Sequence, residues 1–306
     1  SQAGVCLPFS GGRPENDKKM PSFGHQKDSP GSVPRKIASL LASDRFTDQP
    51  LTWASSVVRT RGMSPGVLQR VVCSVPTLES LTLQTLNDPE VSDIGAGIKK
   101  LGHDAVWCAA QAACFVSFTT ACLRSDRLGP IHFASTGRAT AETAAWIAEP
   151  HIVDPCEAFA LALWSEVGLA AAMYAFPDTY EAICASEGDR SISSLEQEAF
   201  GFDHQMVGAC VMRLYRFPQH YMDQCANHEL DLLDLDLDEK LIRAASVATA
   251  GVGGWHFPKG SRPNLTAGVL AGALLRESDK ESLEDFARSS LGNAMRSLSL
   301  QQKKSA

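Results

Sequence analysis

The stretch from Cys156 to Tyr174, CEAFALALWSEVGLAAAMY, is apolar or small on every side. A helix without a polar face is a central, buried one that other helices must surround. Its only interruption near mid-length is Ser165-Glu166, and a polar pair in a core helix costs free energy unless it is satisfied or used. The run is long enough to cross a bilayer. It carries Glu157, Ser165 and Glu166, however, and is richer in Ala than in Leu or Ile, so it reads as core, and no membrane insertion is expected.

The rest of the chain supplies helices to surround it. Ile37, Leu40 and Leu41 make an apolar stripe at helical spacing, and Trp53, Val57 and Val58 make another. Ser64-Pro65 reads as an N-cap followed by proline in the first helical position. Ser92 reads as the cap of a helix that Gly102 stops. AVWCAAQAACFVSFTTACL is a second buried helix. Further helices are expected at about 136–147, 178–183 and 241–250. Ser194 to Gln197 reads as a capping box, Asp203 as a second cap, and Pro218 as the opening of another helix. No stretch sustains period-2 alternation with β-branched residues, so the chain is all-α. Residues 1–30, rich in Gly, Ser, Pro, Lys and Asp, read as a disordered arm. The body spans 31–300, with a tail at 301–306.

Net charge is −7, which argues against a broad nucleic-acid or anionic-membrane surface. The nine cysteines contain no C-x-x-C and sit mostly in apolar helical context, as reduced core residues of a cytoplasmic protein. The opening SQAGVCLPFSGGRPENDKK carries no apolar run of signal-peptide length. Asp234, Asp236 and Asp238 imitate the start of a calcium loop, but Glu239 and Ala245 stand where Gly and Glu are required. GVGG at 251–254 lacks the Gly-Lys-Ser/Thr ending of a phosphate loop. No histidine or cysteine spacing is typical of zinc.

Taken together, several stretches resemble the HDOD domain, the HD-related output domain of bacterial signalling proteins. EAFALALWSEVG followed by FPDTYEAI is similar to that family's central signature. LEQEAFGFDHQMVGACVMRLYRFPQHYMDQCANHE is similar to the next, with Glu196, Glu198, Gly201, Asp203, His204, Val207, Gly208 and Pro218 at the matching spacings. SPGVLQRVVCS and VSDIGAGIKKLGHDAV resemble its first half. The resemblance covers about 30–250. It implies an N-terminal helical bundle (31–130) packed on a half related to HD phosphohydrolases (131–300).

The resemblance also implies where a hydrolytic metal would have been held: near Thr136, at Ser165-Glu166 and near Ser246. Three of those four positions carry hydroxyls here, and only Glu166 keeps a carboxylate. Imidazole and carboxylate hold a catalytic divalent ion well, and a serine hydroxyl does so poorly. No metal centre, cofactor or catalytic residue is therefore expected. Glu166 is read as a carboxylate that hydrogen-bonds neighbouring helices, in preference to a relic ligand or a general base. Asp203 is read as a cap and His204 as a satisfied first-turn residue, in preference to an acid–base pair.

The favoured expectation is a non-catalytic regulatory module acting through a protein partner in a bacterial signalling pathway. The alternative is a nucleotide or cyclic-dinucleotide sensor that uses the relic cleft, with Arg138 and Arg243 as the cations beside Ser165 and Glu166. A residual phosphohydrolase ranks last.

Overall fold

The structure, a computed structural model, describes residues 32–41, 49–123, 129–185, 190–227, 235–254 and 265–305. The expected arm at 1–30, Asp231 to Asp234 and His256 lie outside the described residues.

The first half contributes α1 (Val33–Leu41), α2 (Pro50–Val58), α3 (Pro65–Cys73), α4 (Pro76–Leu86), α5 (Ile94–Leu101) and α6 (His103–Cys122). Then come α7 (Pro130–Ala148), α8 (Pro155–Trp164), α9 (Val167–Ala175), α10 (Pro177–Ala185), α11 (Ile192–Phe200), α12 (His204–Leu214) and α13 (Gln219–Asn227). The chain closes with α14 (Leu237–Gly251), α15 (Ala267–Gly272) and α16 (Lys280–Ser305). No strand occurs among the described residues, and the fold is all-α as the patterning requires. Helix α16 runs on through 301–305, where a tail was expected.

Proline sets many of the starts. It occupies the first helical position of α2, α3, α4, α7 and α8, where its missing N–H has no partner to lose and its fixed φ already suits the helix. Two expected caps are corrected. Helix α5 is capped by Asp93 rather than Ser92, its carboxylate accepting from the Ala96 N–H at 2.8 Å. Helix α11 is capped by Ser191 rather than Ser194, one turn earlier. Asp203 caps α12 as read, accepting from the Met206 N–H at 3.0 Å.

The central run is also corrected. It is not one continuous helix: Ser165 and Glu166 form a turn between α8 and α9, with Glu166 at φ −93° and ψ 14°. The Ser165 hydroxyl donates to the Ala162 carbonyl at 2.9 Å, which satisfies one acceptor freed at the break.

Around this broken axis, α7 packs on α8, α14 and α16, while α6 packs on α2 and α4. Helix α9 packs on α12, and α12 on α13. Helix α1 lies against α12 and α9. Its last carbonyl, Leu41, accepts from the Tyr215 hydroxyl at 2.8 Å. Helix α6 and the α8–α9 segment are apolar and long enough to cross a membrane, yet 67% and 83% of those stretches are buried inside the fold, so their apolar surface is already covered by other helices.

Trp164 joins the two halves. It packs edge-on to Phe115 at 5.4 Å and to Phe217 at 5.6 Å between ring centroids. Its indole N–H donates to Gln111 Oε1 at 2.8 Å, and the Gln111 amide donates in turn to the Ala54 carbonyl at 3.3 Å. All three residues are buried. Gln111→Leu keeps the bulk but strands the indole N–H and the carbonyl. It should cost about 1–3 kcal/mol of stability in urea denaturation; an unchanged midpoint would show that neither group depends on the amide.

Candidate functional site

Where α8 stops, the sequence places one carboxylate among small residues. The fold brings Thr136 from α7, Ser165 and Glu166 from the α8–α9 turn, and Ser246 from α14 to one cavity, completed by Phe133, Gly137, Thr140 and Ala162. These residues, drawn from three separate segments, share that site because α7 packs on both α8 and α14. The cavity measures about 40 Å³, room for roughly one to three water molecules. A small-molecule ligand needs several hundred Å³.

Two of its hydroxyls are engaged by helix carbonyls. The Thr136 hydroxyl donates to the His132 carbonyl at 2.8 Å, and Ser165 is bonded to Ala162 as described. One carboxylate among four hydroxyls is a poor donor set for a divalent ion. Among the described residues no group of three or more His, Cys, Asp or Glu side chains is placed to hold a metal.

The two expected cations do not line this cavity. Arg138 points to the other side of α7, where it pairs with Glu142 at 2.9 Å, one turn along, and borders a groove shared with α4, α6 and Phe159 of α8. Helical geometry explains the displacement: two residues beyond Thr136 is roughly 200° around the axis. Arg243 is half-buried on α14 and also lies outside the cavity lining.

The next signature converges beneath Glu166. His204 is 1% exposed and Glu196 is fully buried. One Glu196 carboxylate oxygen accepts from the Tyr180 hydroxyl at 2.5 Å. The other accepts from the His204 backbone N–H at 2.9 Å and from His204 Nδ1 at 2.7 Å. A carboxylate only accepts, so Nδ1 carries the proton. His204 Nε2 faces Glu166 Oε2 at 3.8 Å, too long for a direct hydrogen bond. His204 is thus a satisfied first-turn residue, and Asp203 beside it is the cap.

Just beyond lies the tightest crossing. A Cβ on Gly168 would sit 2.0 Å from the His204 carbonyl oxygen and 2.4 Å from the Gly208 nitrogen. The glycines of the two signatures therefore let α9 and α12 meet backbone to backbone. Pro218 precedes α13 directly, and its carbonyl accepts from the Tyr221 N–H at 3.1 Å. GVGG serves a similar packing end. A Cβ on Gly254 would lie 2.7 Å from the Thr249 carbonyl oxygen and 3.1 Å from Thr136 Cγ2.

Sequence reasoning counted Glu196 among the residues at the family's spacing and inside a capping-box stretch, and gave it no buried role. The available signal was its position eight residues before His204, with Tyr180 in the preceding signature. Arg61 was also missed, and nothing in its local sequence marks it. It forms ion pairs with Asp104 of α6 and, at 2.7 Å, with Asp154, the cap of α8.

Comparison with known proteins agrees with this architecture. Residues 87–230 match the model of the HDOD domain. No curated protein matches the chain by sequence. Among solved structures, an HDOD domain protein with unknown function from Geobacter sulfurreducens superposes with a TM-score of 0.59 at 15% identity, covering 87% of this chain and 97% of that one. A provisionally named phosphohydrolase from Shewanella amazonensis SB2B gives 0.62 at 16% identity, over 81% and 93%. A provisionally named signal transduction protein from Marinobacter aquaeolei VT8 gives 0.63 at 16%, over 89% and 67%.

Proposed function

Starting from a chain that carries an HDOD domain over residues 87–230, we propose a non-catalytic module of bacterial signal transduction that works by contact with a protein partner. The observation that carries this reading is the cavity at the α8–α9 turn. It offers one carboxylate, four hydroxyls and about 40 Å³ where an HD-type hydrolase needs a full ligand set and a substrate. The signature residues around it are spent on packing: Glu196 holds Tyr180 and His204, and Gly168 meets α12.

A neighbour in fold is named a phosphohydrolase, so hydrolysis is the reading to test against. Purified protein supplied with manganese or nickel should hydrolyse neither bis(p-nitrophenyl) phosphate nor cyclic dinucleotides above a heat-denatured control. Metal-dependent turnover abolished by Glu166→Ala would overturn the proposal. The sensor reading has less room. No Arg or Lys lines the cavity, and its volume falls well short of a nucleotide. Guanine and adenine nucleotides should leave the melting temperature of the wild type unchanged. A stabilisation that grows with ligand concentration and is lost in Glu166→Ala would favour the sensor.

A further inference from the structure

Helix α7 borders two cavities. Thr136 and Thr140 line the small one beside α8 and α14, whereas Arg138 and Glu142 line a groove on the other side of the helix. That groove measures about 320 Å³, enough for a small organic molecule. Its shape follows from residue size. Helix α6 packs on α4, α5, α7 and α8, and it lines the groove with Ala105, Cys108, Ala109 and Ala112. These short side chains leave open the space that Leu or Phe would fill. Leu86 of α4, Leu101 of α5 and Phe159 of α8 complete an apolar trough.

The trough carries one ion pair. Arg138 Nε donates to Glu142 Oε1 at 2.9 Å, with the two side chains 19% and 27% exposed. That bond uses one edge of the guanidinium. Its two terminal nitrogens, and Glu142 Oε2, have no hydrogen-bond partner among the described residues. Thr85, also in the lining, spends its hydroxyl on the Leu81 carbonyl of its own helix at 2.8 Å. The groove therefore offers N–H donors and a carboxylate acceptor side by side, next to apolar surface.

We infer that this groove binds a small neutral acyl amide, with its tail along α6 and its head on the Arg138–Glu142 pair. The terminal N–H groups of Arg138 donate to the amide carbonyl, and Glu142 Oε2 accepts from the amide N–H. Charge selects the neutral head. The pair sums to zero, so a carboxylate ligand is opposed by Glu142 and an ammonium ligand by Arg138, and either brings an uncompensated charge into a half-buried site. Length selects the tail. The floor from Ala105 to Ala112 runs about 10 Å along α6, the reach of an octyl chain. A molecule seated there touches α4, α5, α6, α7 and α8 at once, and gives a module that works by contact a chemical input of its own.

The test is thermal shift and calorimetric titration of the full chain with octanamide, and with octanoate and octylamine as charged probes of the same tail. Octanamide should raise the melting temperature progressively up to its solubility limit, and each charged probe should bind about tenfold more weakly or worse. Glu142→Gln keeps the shape of the pair but leaves the guanidinium unopposed, so octanoate should now bind more tightly than octanamide. A purely structural ion pair would not invert that order. Ala105→Phe, at an exposed position in the groove, should lose the octanamide response while keeping its own melting temperature. The proposal is overturned by no shift with octanamide, by equal shifts from all three probes, by the wild-type order persisting in Glu142→Gln, or by an undiminished response in Ala105→Phe. The wild-type comparison of the three probes decides even if a variant does not fold.

Discussion

Gly168→Ala should destabilise the protein by on the order of 3 kcal/mol or more, near the upper end of what overpacking costs. The added methyl would lie 2.0 Å from the His204 carbonyl oxygen and 2.4 Å from the Gly208 nitrogen. Both obstacles are backbone, so no rotamer change relieves them, and α9 and α12 must separate. Gly208→Ala is the internal comparison. Its methyl would lie 3.2 Å from Cys225 Cβ, a side-chain atom that can give slightly, and 3.4 Å from the Gly168 nitrogen. It should cost about 1–2 kcal/mol. Urea denaturation of the two variants orders them, and equal losses would mean that the crossing is looser than the structure has it.

Glu196→Ala should be comparably severe, about 3–5 kcal/mol. The carboxylate is fully buried, and the Tyr180 hydroxyl, the His204 backbone N–H and His204 Nδ1 all turn toward it. Removing it strands three donors and opens a void. Tyr180→Phe removes one donor while leaving the carboxylate two, so it should cost only about 1 kcal/mol. In Glu196→Ala the second change should cost less than it does alone, because its partner is already gone. Strict additivity in that double-mutant cycle would show that the network is not coupled.

Much of this was legible because it is local. Proline at the first helical position, the 3.6-residue stripes and the absence of alternation specify helices before any contact is known. The convergence of Thr136, Ser165, Glu166 and Ser246 was expected from the family's spacing, and the fold places them around one cavity. What was not legible depends on neighbours distant in the chain. Ser165-Glu166 looks like a polar blemish in one helix, because nothing nearby says that Gly168 must meet α12 and that the axis must turn. Arg138 was placed by proximity in sequence to Thr136, although two residues along a helix face different ways. Ser194 carries a capping pattern as good as Ser191's. Burial of Glu196 arises only when α10 and α12 close over it.

Helix α1 leaves the ribosome before the other described helices, yet the surface it needs is made late. The Leu41 carbonyl meets the Tyr215 hydroxyl 174 positions further on, and the helix lies on α12 and α9. During synthesis its apolar stripe, with Ile37 and Leu41 both 1% exposed in the finished fold, has nowhere to dock until about two-thirds of the chain exists. Closing so long a loop is slow relative to forming helices from near neighbours. The earliest-made described helix is therefore among the last to settle, and the window before it does is when a nascent chain most needs a chaperone.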